Sequence, residues 1–376
     1  MADISLILLA AGNSTRFKSP VKKQWLRLGD DPLWLYVAKD LQKKANFKKI
    51  IIVASGEDIE YMRKFSDEFE FVIGGDLRQI SLRNALQSVT SEFVLVSDVA
   101  RAKISANLIN LLLENVGKFD CISPYLGVSD TAYLGESQIN RDEIKLIQTP
   151  QLSRTTLLKK ALQKDEIFTD DSLAIKSVGG SLGFVKGENS AKKITYISDL
   201  INFDFPSVSR DIFCGNGFDV HALTNGEFIT LCGVKIPCEY SLIAHSDGDV
   251  AIHALIDAMC GGAGIGDIGE LFPDTDNAYK GIDSKILLQK VTRKIKAYGF
   301  EIVNADITIM AQKPKLSPYK EQMRKCLCEI LQTNKINVKA TTTEKLGFVG
   351  RSEGISVMAT LNLKYFDWKK FINLQF

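Results

Sequence analysis

The chain has three histidines, His221, His245 and His253, and all of them fall in one short acidic stretch. Asp219 and His221 are two positions apart, so on a strand both side chains leave the same face. His253 lies in an apolar-periodic run (Val250, Ala251, Ala254, Leu255, Ala258, Met259) that reads as a helix. A carboxylate and two imidazoles, one brought in from a helix, make an N/N/O set with room for a substrate oxygen. That is the pattern of a catalytic zinc site. Asp257, one helical turn beyond His253, is placed to accept the other ring N–H and fix the tautomer.

A second group of candidates stands near the start. Ala10-Ala11-Gly12-Asn13-Ser14-Thr15-Arg16 follows an apolar run of strand length, and Lys22-Lys23-Gln24 comes shortly after. Small residues let the backbone approach phosphates, and consecutive N–H groups cradle an anion. Arg16 and Lys23 add charge where a triphosphate carries most of it. The loop is neither a Walker A sequence nor G-x-G-x-x-G. Gly74-Gly75-Asp76-Leu77-Arg78 leads into Ser81 at a helix start, another anion-friendly position. Asp98, at the end of a buried strand, is a candidate Mg²⁺ ligand, because Mg²⁺ takes one or two carboxylates plus phosphate oxygens.

These residues need elements to position them. The first half alternates apolar strands (Ile4–Ala10, Lys49–Ala54, Phe71–Ile73, Phe93–Ser97) with helical patterns (Leu33–Ala45, Asp58–Phe65, Ser81–Val89). This rhythm predicts a mainly parallel sheet covered on both faces, with ligands beyond the carboxyl ends of its strands. Near residues 196–216 the pattern changes, and Pro206 to Arg210 reads as a short linker. The second half predicts a strand over Asp211–Val220, a Gly-rich loop at Gly261–Gly269 and a helix near Ser284–Ala297. A strand over Asn304–Ala311, a helix near Pro318–Leu331 and a strand over Ser356–Leu363 complete an α+β layout on one mixed sheet.

Composition narrows the class. A length of 376 residues suits two domains, here 1–208 and 209–376. A formal charge of +2 suggests neither a nucleic-acid nor a membrane partner, and no apolar run approaches a bilayer span. Met1-Ala2-Asp3 lacks the basic flank of a secretory signal. Seven cysteines, an odd number without a C-x-x-C pair, read as reduced thiols in a cytoplasmic protein.

Over roughly the first 200 residues the motifs Ala10-Ala11-Gly12, Arg16, Lys23-Gln24, Gly74-Gly75-Asp76, Arg78, Ser81, Asp98, Arg101 and Thr149-Pro150-Gln151 resemble 2-C-methyl-D-erythritol 4-phosphate cytidylyltransferases. The resemblance implies a Rossmann-like α/β nucleotidyltransferase fold, CTP, and Mg²⁺ or Mn²⁺. It assigns Arg16 and Lys23 to the triphosphate and to charge developing at the α-phosphorus. It puts Ala11, Gly12, Gly75, Asp76 and Ser81 around the nucleotide and Asp98 on the metal. Asp98, Arg101, Thr131, Arg141 and Lys193 fall where that family holds methylerythritol phosphate, with Arg141 and Lys193 among the residues of catalysis. Ser14 stands where a second glycine is usual, Lys22 replaces a proline, and Val99 and Ala102 alter the segment after Asp98.

Residues 211–370 resemble 2-C-methyl-D-erythritol 2,4-cyclodiphosphate synthases more tightly. Gly217-Phe218-Asp219-Val220-His221, Ala244-His245-Ser246-Asp247-Gly248-Asp249, Gly266-Asp267-Ile268-Gly269, Leu271 to Asp276 and Lys339 to Phe348 carry the likeness. It implies Zn²⁺ on Asp219, His221 and His253, and a second divalent ion, Mg²⁺ or Mn²⁺, contacted by Glu344. Asp267, Gly269 and Asp274 would line the erythritol pocket, and His245 and Ser246 the phosphates. Ala311, Lys315, Leu316, Thr341 and Thr342 would hold the cytidine diphosphate, with His245 and Thr342 in catalytic positions and Phe348 and Arg351 among the substrate contacts. That family is a homotrimer with sites shared between subunits, so a trimer through the C-terminal domain, extendable to a hexamer, is implied.

The expectation is therefore a bifunctional enzyme of the methylerythritol phosphate route to isoprenoids. A kinase must act between the two steps; the chain has no ATP loop of its own, so association with that kinase is the corresponding expectation. A first half acting on another sugar or polyol phosphate is the enzymatic alternative, which an acceptor panel separates. A first half reduced to a scaffold is the other, which a CTP titration separates.

Overall fold

A computed structural model describes residues 3–375 apart from His245 and Asp274, the side chains of Asn202, Asn277, Leu374 and Gln375 also being left out. The chain divides into two compact units: one runs to Ser207 and takes in the segment from Lys369 onward, the other is Val208–Trp368. The segment after Lys369 thus packs with the first unit, whereas the sequence places everything after 208 in the second. Lys369 Nζ donates to Phe205 O at 2.7 Å.

The first unit is an eight-stranded sheet, mainly parallel at its centre as expected. Ile4–Leu9 lies between Phe93–Asp98 and Lys49–Ala54, parallel to both, and Glu70–Ile73 extends the parallel run. These strands are near-continuous Ile, Leu and Val because helices cover both faces; Leu6, Ile7, Leu8, Ile51 and Leu95 are wholly buried. Gln151–Arg154 joins antiparallel to Phe93–Asp98. The parallel strands end together, so the loops after Leu9, Ile73 and Asp98 meet at one rim.

The second unit is a five-stranded mixed sheet whose order begins with Tyr240–Leu242 and Ile212–Asn225. Gly354–Tyr365, Phe300–Met310 and Ile336–Thr341 follow. Ile212–Asn225 is longer than predicted and alternates as far as Thr224, with odd positions turned inward and even positions exposed. The helix Val250–Ala263 lies on its odd face. Glycine permits this contact: a Cβ on Gly215 would lie 1.8 Å from Ala258 O, and one on Gly217 1.9 Å from Ala254 O. The helix also absorbs Gly261 and Gly262, which the sequence placed in a loop, because Gly262 packs its bare Cα against Gly215. Among the described residues no helix is long and apolar enough to cross a membrane.

Candidate active sites

The first unit holds a cavity of about 480 Å³ at the rim of its parallel strands. Ala11, Gly12, Arg16, Lys23, Gly75, Asp76, Ser81, Asp98 and Lys193 all line it. Arg101, Thr131 and Arg141 do not. Arg101 donates to Ala191 O at 2.7 Å, while Arg141, exposed beside the hairpin of Ala132–Leu134 and Ser137–Ile139, donates to Ser129 O at 2.6 Å.

Ser14 and Lys22, where the chain departs from the family pattern, turn out to brace the loop after Leu9. Ser14 Oγ accepts from Lys23 N at 3.0 Å and donates to Gln24 Oε1 at 3.3 Å. Gln24 Nε2 donates to Gly12 O at 3.3 Å and Asp58 Oδ2 at 3.4 Å, and Lys22 Nζ lies 3.4 Å from the fully buried Asp58 carboxylate. The segment bearing Lys23 is thereby tied to the glycine loop.

Positive charge is concentrated here. Burial, then repulsion from Lys193 and Arg16, brings the Lys23 ammonium down to about 8, with Asp98 and Asp199 opposing. Asp98 lies between Lys193 Nζ at 2.6 Å and Arg78 Nε at 3.6 Å. Burial alone would raise its pKa, but these cations hold it below the ordinary value. Arg78 belongs to the Gly74–Arg78 motif but carries no role in the sequence reading. Its Nη1 lies 2.7 Å from Asp171 Oδ1, and Gln151 Oε1 accepts Asp171 N and Ser172 N at 3.1 Å each. Gln151 and Asp171 thus back the arginine that steadies Asp98. The sequence signal was the Asp170-Asp171 pair, since a half-buried arginine calls for carboxylates nearby.

In the second unit Asp219, His221 and His253 converge as the sequence predicted. Nδ1 of His221 and Nδ1 of His253 lie 3.4 Å and 3.3 Å from the same oxygen, Asp219 Oδ2. The buried His221 Nδ1 has no hydrogen-bond partner, which is what a ligand atom awaiting a cation looks like. Burial would push Asp219 up, but the imidazoles of His221 and His253 beside it hold it far below the carboxylate range. Burial would push His221 down, yet Asp219 raises it. The three groups fit a divalent ion. Asp257 does not serve His253: its Oδ1 accepts Ile268 N at 2.8 Å, and burial raises its pKa.

Asp98 and Glu344, the other expected ligands, are not part of this cluster or of another three-ligand cluster among the described residues. Glu344 accepts the Thr342 hydroxyl at 3.0 Å on a turn where Glu344 and Lys345 both have positive φ. Thr341 ends a parallel strand and its carbonyl accepts Ala311 N at 3.0 Å, so those two candidates meet; Leu316 is buried nearby in sequence and Lys315 is exposed. Phe348 lies in the helix Gly347–Gly350. Arg351 pairs with Glu353 at 2.8 Å, just before Gly354, which pairs with Ala222. Asp267 Oδ1 caps the short helix after it by accepting Glu270 N at 2.8 Å; Gly269 lies in that helix. Ser246 Oγ stands 3.1 Å from His253 Nε2. His245 and Asp274 lie outside the described residues.

Register measures the distance between these groups. Asp219 pairs with Val357, Val357 with Ile309 and Ile309 with Ala340, so the metal row and the Thr341 row are three strands apart. At about 4.8 Å per strand this is roughly 14 Å.

A mainly parallel sheet with a cationic pocket at its strand ends characterises the first unit, as expected of a nucleotidyltransferase. A mixed sheet with a histidine–aspartate divalent-metal site defines the second. The family model for 2-C-methyl-D-erythritol 4-phosphate cytidylyltransferase matches residues 4–206, and that of the YgbB family matches residues 212–364. A bifunctional enzyme IspD/IspF from Campylobacter hominis is 64% identical over 371 residues, 99% of this chain and 100% of that one. Another, from Campylobacter fetus subsp. fetus, is 58% identical over 99% of this chain and 100% of its own. The structure of the bifunctional IspDF from Campylobacter jejuni matches with a TM-score of 0.92 at 52% identity, covering 98% of this chain and 100% of that chain. The chain belongs to the bifunctional IspD/IspF family. Its activities are those of a 2-C-methyl-D-erythritol 4-phosphate cytidylyltransferase and a 2-C-methyl-D-erythritol 2,4-cyclodiphosphate synthase, in isoprenoid precursor synthesis.

Proposed function

We propose that the rim pocket binds CTP and methylerythritol phosphate, and that Arg16, Lys23 and Lys193 neutralise charge as the acceptor phosphate oxygen attacks the α-phosphorus and pyrophosphate leaves. The single observation that carries this is four cations (Arg16, Lys23, Arg78 and Lys193) and two carboxylates (Asp76 and Asp98) around one cavity. Such a transfer asks the protein mainly to hold two anions in line and screen their charge. Asp98, kept ionised by Lys193 and Arg78, is the group available to hold Mg²⁺ or Mn²⁺ there. Thr131 and Arg141, on or beside the hairpin, are retained as acceptor contacts and Arg101 as a support of Asp98.

In the second unit we assign Zn²⁺ to Asp219, His221 and His253, on the unpartnered His221 Nδ1 and the shared Asp219 oxygen. Glu344 is assigned to a second cation, Mg²⁺ or Mn²⁺. Ions held there would draw two phosphates together and would offset charge on the leaving CMP. The chain's own part is to orient the substrate: Ala311, Lys315, Leu316, Thr341 and Thr342 for the cytidine diphosphate, and Ser246, Asp267, Gly269, Phe348 and Arg351 for the remainder, with His245 and Asp274 retained from the resemblance. The 2-phosphate attacks the β-phosphate within one molecule and CMP departs.

The reading extends to a trimer through the second unit, with sites shared between copies, and to a hexamer. It is supported by the roughly 14 Å between metal and nucleotide rows in one chain and by an exposed apolar strand face with Phe218, Val220 and Met358. Association with the intervening kinase and a cytoplasmic location, on seven free thiols, belong to the same proposal.

The test is pyrophosphate release from CTP and Mg²⁺ with methylerythritol phosphate against a panel of sugar and polyol phosphates. Release confined to methylerythritol phosphate and lost in Lys23→Ala supports the first assignment; release with another acceptor overturns it. His253→Ala should lose both zinc and CMP release, and a variant that keeps either rejects the ligand set.

A further inference from the structure

The His253 ring has a second edge. Its Nε2 lies 3.0 Å from Ser284 Oγ, and Ser284 Oγ lies 2.5 Å from Asp247 Oδ1. Asp247 Oδ2 also accepts Ser284 N at 3.2 Å, so the carboxylate grips that serine through both oxygens. A carboxylate has no proton to give, so the Ser284 hydroxyl donates to Asp247. Serine has one hydroxyl proton; once it is committed, Ser284 can only accept from His253. Nε2 therefore carries the ring hydrogen, and Nδ1 presents its lone pair toward Asp219 Oδ2, 3.3 Å away.

We propose that Ser284 and Asp247 are a positioning pair that selects the metal-binding tautomer of His253. The role expected of Asp257 is thus filled by a serine and an aspartate from outside the helix. Ser246, 3.1 Å from the same nitrogen, cannot make the selection. Its oxygen already accepts Gly248 N at 3.2 Å, and its proton is free to turn toward the ring or toward a ligand. Ser284 is wholly buried, so its hydroxyl has no competing solvent. The same contacts fasten the start of the helix Ser284–Ala297 to the loop that precedes the His253 helix, so this buried link serves one ring nitrogen and one loop at once.

The inference rests on Asp219, His221 and His253 being the metal ligands. Its test is the zinc affinity of the full chain, measured by competition with a chromogenic chelator beside the unfolding temperature of the metal-free protein. Removing an outer partner of a ligating histidine costs about tenfold to a hundredfold in metal affinity, and Ser284→Ala should lose that much. Ser284→Thr, which keeps the hydroxyl, should recover most of it, with metal-free unfolding unchanged in both. Wild-type affinity in Ser284→Ala would overturn the proposal. So would Ser284→Thr binding as weakly as Ser284→Ala, or a loss that follows a lowered unfolding temperature. A wild-type chain that fails to bind one zinc would instead sink the ligand assignment beneath it.

Discussion

Lys23 should give the cytidylyltransferase an alkaline limit. Burial, Lys193 and Arg16 bring its ammonium from 10.5 to about 8 in the free protein. A lysine with a lowered pKa is charged below that value and loses its proton as the pH rises through it. At about pH 9.5 a group with pKa near 8 is roughly 3% protonated, against about 90% for one at 10.5. If the charge on Lys23 holds the triphosphate, kcat/KM for CTP should fall roughly thirtyfold between pH 7 and pH 9.5, the range set by that shifted pKa. The dependence of kcat/KM reports the free enzyme, whereas kcat reports the complex. Bound triphosphate adds negative charge beside Lys23, so kcat should stay level to higher pH. The assay is initial-rate pyrophosphate release at saturating Mg²⁺ and acceptor, with CTP varied at each pH. Lys23→Arg, charged throughout, should flatten the alkaline limb whatever its absolute rate. A wild-type kcat/KM that stays level to pH 9.5, or an equal fall in Lys23→Arg, would refute the reasoning.

Three further outcomes follow from packing. Gly217→Ala places a Cβ 1.9 Å from Ala254 O; overpacking should cost about 1–3 kcal/mol and abolish zinc binding and CMP release, while pyrophosphate release persists. Asp58→Ala strands Lys22 and Gln24 at a buried position. We expect about 1–3 kcal/mol of lost stability, read by denaturant unfolding, and a several-fold higher KM for CTP with CMP release unchanged. Phe218→Asp, on the exposed face of its strand, should leave the folded chain intact but prevent trimers in sedimentation, and CMP release should fall with them.

Local pattern carried much of this architecture into the sequence. Strand alternation put Asp219 and His221 on one face, and helical periodicity delivered His253 to them, because both rules act within a few residues. The Ser284–Asp247 link joins positions 37 apart through the end of a helix, and no short-range spacing announces it. Asp257 stood at the right helical interval for His253, but its carboxylate turned to an orphan backbone N–H at Ile268 instead. The run Gly261–Gly269 looked like a loop because glycine is a poor helix former; contact with Gly215 explains why the helix continues through Gly261 and Gly262. Arg78 needed the third dimension as well, since its partner Asp171 lies 93 residues further on.

The return of the segment from Lys369 to the first unit has a consequence for how the protein is made and divided. A ribosome delivers residues 208–368 before it delivers the stretch that packs beside Phe205. The cytidylyltransferase unit, although it is translated first, is completed last. A fragment cut at the apparent boundary after Ser207 would lack the hydrogen bond that Lys369 gives to Phe205 O, so one cut does not separate the two units cleanly.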